Sequence, residues 1–98
     1  MKYKVVFSKE ALKKMKKMDK YTQTLLYNWI EKNIDGCEDP FIHGRELKGE
    51  FKDKWRYRVG DYRIIVEIQN DKLIILVVNI GHRRNVYMVH EDEEMYNT

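Results

Sequence analysis

The run Leu73-Ile74-Ile75-Leu76-Val77-Val78 constrains the fold more than any other stretch of the chain. It is far too short to span a bilayer. In a strand, successive side chains point to opposite faces, so a run apolar at every position needs cover on both faces. Lys72 to Ile80 is therefore expected to be a central strand. Upstream, from Phe51 on, the pattern alternates. Phe51, Trp55, Tyr57 and Val59 take one face while Lys52, Lys54, Arg56 and Arg58 take the other, and Tyr62, Ile64, Val66 and Ile68 then alternate with Arg63 and Glu67. Val59-Gly60-Asp61-Tyr62 reads as a two-residue hairpin turn with Gly at the first central position, and Asn70-Asp71 as a second.

Before Pro40 the period is helical. Tyr3-Lys4-Val5-Val6-Phe7 reads as a short strand, and Ser8 as the N-cap of a first helix with Glu10 in its first turn. Phe7 and Leu12 are placed to form a hydrophobic staple. Leu12, Met15 and Met18 keep helical spacing, with Lys13, Lys14, Lys16 and Lys17 on the outer face. Asp19 is expected to cap a second helix whose stripe is Leu25, Leu26, Trp29, Ile30 and Ile34, stopping near Gly36. The expected fold class is α+β, in the order βααβββ, with a small mainly antiparallel sheet packed against an N-terminal two-helix hairpin.

A chain of 98 residues with 43% hydrophobic side chains suits one domain over 1–98 with one modest core. The single cysteine, Cys37, excludes an intrachain disulfide and fits a reducing compartment. Nothing near the N-terminus reads as a signal peptide, so a cytoplasmic protein is expected. Cys37, His43, His82 and His90 show no metal-ligand spacing. Residues 44–87 carry ten Lys or Arg against six Asp or Glu, whereas 88–98 form an acidic tail with Glu91, Asp92, Glu93 and Glu94. A basic body implies an anionic partner.

The turn registers sharpen this. With two-residue turns at Gly60-Asp61 and Asn70-Asp71, Arg58 faces Arg63 and Arg63 faces Val78. Gly81-His82-Arg83-Arg84-Asn85-Val86-Tyr87 then emerges beside Arg56, Arg58 and Arg63. Like charges opposite one another on a sheet are destabilising. One reading is a wet basic face diluted by Asp61 and Glu67; the other is a polyphosphate or RNA site, since the guanidinium fork matches phosphate oxygens. Cleavage of RNA by the neighbouring 2′-hydroxyl suits such a set. Fixed cations stabilise the charge that builds on phosphorus and on the leaving 5′-oxygen. Histidine is the side-chain type whose ordinary pKa lies near neutral, which makes His82 a candidate proton carrier, and Tyr87 is a candidate to stack on a base or bind phosphate. Lys13, Lys16, Lys48, Lys52 and Lys54 are candidates for further RNA contacts.

The segments KVVFSKEALKKMKKM, ELKGEFKDKWRYRVGDYRIIVEI and NIGHRRNVY resemble the RelE/ParE superfamily of type II toxin–antitoxin toxins, on its RelE side. The resemblance runs along nearly the whole chain. It implies a small sheet on a helical hairpin and a metal-independent mRNA endonuclease acting in the ribosomal A site. A cognate antitoxin would neutralise it. Position by position, it implies site roles for Arg56, Arg58, Arg63, Arg83 and Tyr87, with His82 where other members carry Lys or His. The family's strand pair is often lysine, one of which serves as general base. Arginine cannot give up its proton in that way, so Arg56 and Arg58 are expected to bind phosphate instead, with protons managed by His82 or Tyr87. The alternatives are a ParE-type inhibitor of DNA gyrase without an active site of its own and a non-catalytic RNA-binding module.

Overall fold

The computed structural model describes residues 1–49 and 53–86. Its elements are β1 (Lys4–Phe7), α1 (Lys9–Lys16), α2 (Lys20–Asn33), β2 (Arg45–Glu46), β3 (Trp55–Val59), β4 (Tyr62–Gln69) and β5 (Ile74–His82). They form one five-stranded sheet in the order β1-β5-β4-β3-β2, carrying two helices. The apolar run lies in β5, between β1 and β4, as its two-faced pattern requires. β1 pairs parallel to β5, and the other pairings are antiparallel. The two-residue β2, paired through Arg45 with Arg56 and Glu46 with Trp55, is an element that the sequence pattern does not announce.

Both helix starts are built as their sequences dictate. The Ser8 hydroxyl accepts the Ala11 N–H at 3.1 Å, and the Asp19 carboxylate accepts the Thr22 N–H and hydroxyl at 3.2 and 2.6 Å. These bonds favour the ionised form and hold the Asp19 carboxyl below its ordinary value. After α2, Gly36 takes φ +81° and its N–H donates to the Tyr3 carbonyl. The Tyr3 N–H donates to the Cys37 carbonyl, so the chain returns alongside β1.

The core joins Ala11, Met15, Leu26, Ile30 and Ile34 of the helical layer to Tyr57, Val59, Ile64, Val66, Ile75, Val77 and Ile80 of the sheet. The helical stripe is narrower than its periodicity suggests. Leu25 is 40% exposed, because buried Thr22, Leu26, Ile30 and Ile34 form a single i, i+4 row on the sheet, and Leu12 of α1 is 36% exposed beside buried Ala11 and Met15. Phe7, expected to staple to Leu12, has its ring 5.8 Å from Tyr27.

The first hairpin has the expected register, with Val59 opposite Tyr62 and Arg58 opposite Arg63. The second does not. Gln69 pairs with Ile74, so the connection is four residues long, and Leu73 sits at φ +55° within it. A β-bulge then adds one more residue: Ile65 pairs with Asn79 but Val66 with Val77, leaving Val78 unpaired. The Val78 carbonyl accepts the Ser8 hydroxyl at 3.4 Å. Arg63 therefore faces Gly81, not Val78.

Tyr57 is fully buried, and its hydroxyl donates to the Pro40 carbonyl at 2.7 Å. Burial pushes its phenol far above the ordinary range. An unfolded chain ionises near pH 10 while the native phenol stays protonated. The Tyr57 contribution is thus complete below about pH 10 and lost as pH rises beyond it. Urea midpoints should fall more steeply above pH 10 for the wild type than for Tyr57→Phe. At neutral pH that variant should be less stable by about 1–2 kcal/mol, from an orphaned carbonyl.

Candidate functional site

Burying Tyr57 and Val59 turns Arg56 and Arg58 to the face opposite the helices. Cross-strand partners share a face. Arg45 therefore joins Arg56, Arg63 joins Arg58, and Gly81 completes the row across β5. Gly81 adds no side chain to the row; a Cβ there would lie 3.6 Å from Val86, which folds back against it.

Arg45 was not among the residues expected from sequence. Its two-residue strand is too short to show periodicity, and only the pairing with Arg56 reveals it. Among the described residues no carboxylate lies within ion-pair distance of Arg45, Arg56 or Arg58. Glu67 shares the face but sits four residues from Arg63, about 13 Å along the strand, and receives a hydrogen bond from Gln69. Arg63 folds toward the turn and donates to the Gly60 and Tyr62 carbonyls, both at 3.0 Å. Arg56 Nε is buried and meets no acceptor among the described residues.

The turn after β5 brings Arg83 to the same end of the sheet. Its N–H donates to the Asp61 carbonyl at 2.7 Å, and its Nε lies 3.7 Å from the Asp61 carboxylate. Both side chains are exposed, so this pair holds Arg83 weakly, by about 0–1 kcal/mol.

His82 does not join the row. It is the last residue of β5, opposite Tyr62, and Ile80 and His82 share the face that meets the helices. Its ring stands edge-on to Tyr62 at 5.6 Å, and Nδ1 accepts the Arg84 N–H at 3.2 Å. With Lys14, Lys17, Met18 and Ile80 it lines a hollow of about 200 Å³. The expected convergence of His82 with Arg56, Arg58 and Arg63 is therefore corrected, and the cause is the bulge at Val78. An extra residue exchanges the two faces for everything after it.

The candidate lysines are scattered. Lys13 and Lys16 are exposed on α1, in the helical layer. The lysine of α1 that reaches β5 is Lys14, which donates to Asn79 Oδ1. Lys48 is exposed beyond β2, and Lys54 lines a separate cavity with Phe41, Glu46, Asp53, Trp55 and Ile68. Lys52, Tyr87, His90 and the acidic tail lie outside the described residues. Burial, then the nearby Asp39 charge, pushes the Cys37 thiol up, which disfavours the thiolate a nucleophile needs. Among the described residues no group of His, Cys, Asp and Glu could hold a metal ion, and no helix is long and apolar enough to cross a membrane.

A βααββββ chain with an arginine row opposite its helices is a small α+β protein with a cation-rich sheet face. The family model for the ParE toxin of the type II toxin–antitoxin system parDE matches residues 5–87. A RelE-like toxin protein of Escherichia coli is 34% identical over 85 residues, covering 85% of each chain. Among solved structures, the toxin–antitoxin complex RelBE2 of Mycobacterium tuberculosis matches with a TM-score of 0.77 at 19% identity, covering 87% of this chain and 95% of that one. The isolated E. coli RelE toxin matches with a TM-score of 0.67 at 20% identity, covering 94% and 96%. The chain belongs to the RelE/ParE superfamily of type II toxin–antitoxin toxins.

The floor of the row depends on Gly44, which sits at φ +79° where a Cβ would lie 2.1 Å from the Arg56 carbonyl oxygen. Gly44→Ala should therefore break the β2–β3 pairing and destabilise the protein by roughly 1–3 kcal/mol. Faster amide exchange at Arg45 and a lower melting temperature would report it.

Proposed function

We propose that this toxin is a ribosome-dependent endoribonuclease that cuts mRNA in the A site by attack of a 2′-hydroxyl on the adjacent phosphate. The observation that carries the reading is the row of Arg45, Arg56, Arg58 and Arg63 with no carboxylate paired to the first three among the described residues. Folding gains nothing from bringing like charges together, so the row is most simply explained by an anion it binds.

In the proposed reaction the 2′-oxygen bonds to phosphorus as the bond from phosphorus to the 5′-oxygen breaks. A 2′,3′-cyclic phosphate and a 5′-hydroxyl result. Arg56, Arg58 and Arg63 hold the phosphate and stabilise its charge as it becomes pentacoordinate. Arg83, beside the same hairpin turn, stabilises the leaving oxygen. The 2′-hydroxyl proton must be taken up and a proton delivered to the 5′-oxygen. His82 faces the helices, so this role passes to Tyr87, the remaining candidate from the family resemblance. Without a strong base, correct positioning of the mRNA must supply much of the rate, which supports a requirement for the ribosome. The same family membership supports neutralisation by a cognate antitoxin and a cytoplasmic site of action.

The test is primer extension on a defined reporter mRNA, with and without ribosomes. Wild type should give sharp cuts only with ribosomes. Arg58→Ala and Arg83→Ala should each lose about 10²–10³-fold. Tyr87→Phe should lose cleavage, while His82→Ala should stay within several-fold of wild type. A second reading, inhibition of DNA gyrase, draws on the match to the ParE family model. Intact mRNA together with inhibited supercoiling by folded wild-type protein would establish it instead.

A further inference from the structure

At its outer edge the sheet is incomplete. β2 pairs only with the Trp55–Arg56 end of β3, and the chain before β2 passes beside Arg58 at a distance. The gap is a cleft of about 370 Å³ lined by Trp29, His43, Gly44, Arg45, Arg56 and Arg58. That volume lies within the range of small-ligand pockets. Three of the six lining residues are arginines and none is acidic. Arg56 lines this wall, and its Nε is buried with no acceptor among the described residues.

The rest of the lining is aromatic and fixed in place. Trp29 is half-buried, with its ring 5.5 Å from Tyr57 and 6.0 Å from His43. The His43 carbonyl accepts the Trp55 indole N–H at 2.7 Å, which anchors the turn while leaving the imidazole exposed. Guanidinium groups beside rigid, partly exposed rings form the combination that binds single-stranded RNA, with phosphate on arginine and base on ring. A bare phosphate would leave the rings unused.

We propose that this cleft is a second nucleotide subsite, taking the RNA nucleotide next to the one that is cut. Its phosphate lies on Arg45 and Arg56, and its base packs against His43 and Trp29. The inference rests on the endonuclease reading for the identity of the ligand as RNA, since Arg45, Arg56 and Arg58 belong to both the row and the cleft. Arg45 and His43 are binding residues in this scheme.

The test is a titration of the ¹⁵N-labelled full chain with a 2′-O-methyl RNA trinucleotide, which keeps bases and phosphates but cannot be cut, beside the mRNA cleavage assay. The Trp29 indole and Gly44 amide signals should shift saturably. Kd should rise at least tenfold in Arg45→Gln and in His43→Ala, and change less than twofold in Lys72→Gln, a loop position at the other end of the sheet. Silent Trp29 and Gly44 signals, or a wild-type Kd in both cleft variants, would overturn the subsite. Silent signals with normal mRNA cleavage remove the subsite alone. Saturable shifts without any cleavage support nucleotide binding in the cleft but remove the endonuclease reading, and with it the placement next to a cut nucleotide.

Discussion

Burial of Tyr57 fixes the pleat of β3, and the rest of the site follows from that pleat. The ring is fully buried beside Trp29, with its hydroxyl on the Pro40 carbonyl. A slip of one residue would drive Arg56 and Arg58 into the core and Tyr57 into water. Burying two unpaired guanidinium groups costs far more than any compensating contact returns. The aromatic core residue therefore determines where the cations point. Because Tyr62 follows a two-residue turn, Arg63 is carried to the same face.

The arginine row carries an electrostatic cost in the free protein. Two unit charges 4 Å apart repel by about 1 kcal/mol even in bulk water. Arg63 moderates this by folding onto the Gly60 and Tyr62 carbonyls, and Arg83 by lying beside Asp61. Arg56 is the member left least satisfied, with a buried Nε that meets no acceptor among the described residues. A closely packed core of aliphatic side chains around Tyr57 and Met15 offsets the cost.

The bulge at Val78 separates two features that a regular strand would have joined. Val77 faces the helices, so an unbroken β5 would put Asn79 and Gly81 in the core and His82 on the arginine face. With Val78 inserted, Ile80 and His82 turn to the helices, and Asn79 and Gly81 face the other way. Asn79 then binds the Val86 carbonyl through Nδ2 and receives Lys14 at Oδ1. One extra residue thus relocates the imidazole, leaves a glycine in the arginine row and ties the chain after β5 to α1.

Much of this architecture is legible in the sequence because it rests on local rules. Ser8 and Asp19 mark helix starts by their capping chemistry, and Gly60-Asp61 fixes a hairpin whose register places Arg58 against Arg63. The two-faced apolar run requires β5 to lie inside the sheet, and alternation alone puts Arg56 and Arg58 on one face. The four-residue loop with Leu73 at positive φ, the bulge at Val78 and the strand Arg45–Glu46 have no such local signature. The loop lies beside β1, the bulge where α1 packs along β5, and Arg45–Glu46 where the chain after Pro40 meets the edge of β3. Tertiary structure alone therefore decided that His82 leaves the arginine face, that Arg45 joins it, and that Trp29 and His43 stand at its border. The sequence by itself determined which residues alternate and where the chain turns. Which alternating sets meet depends on the residues counted between them, and packing set that count.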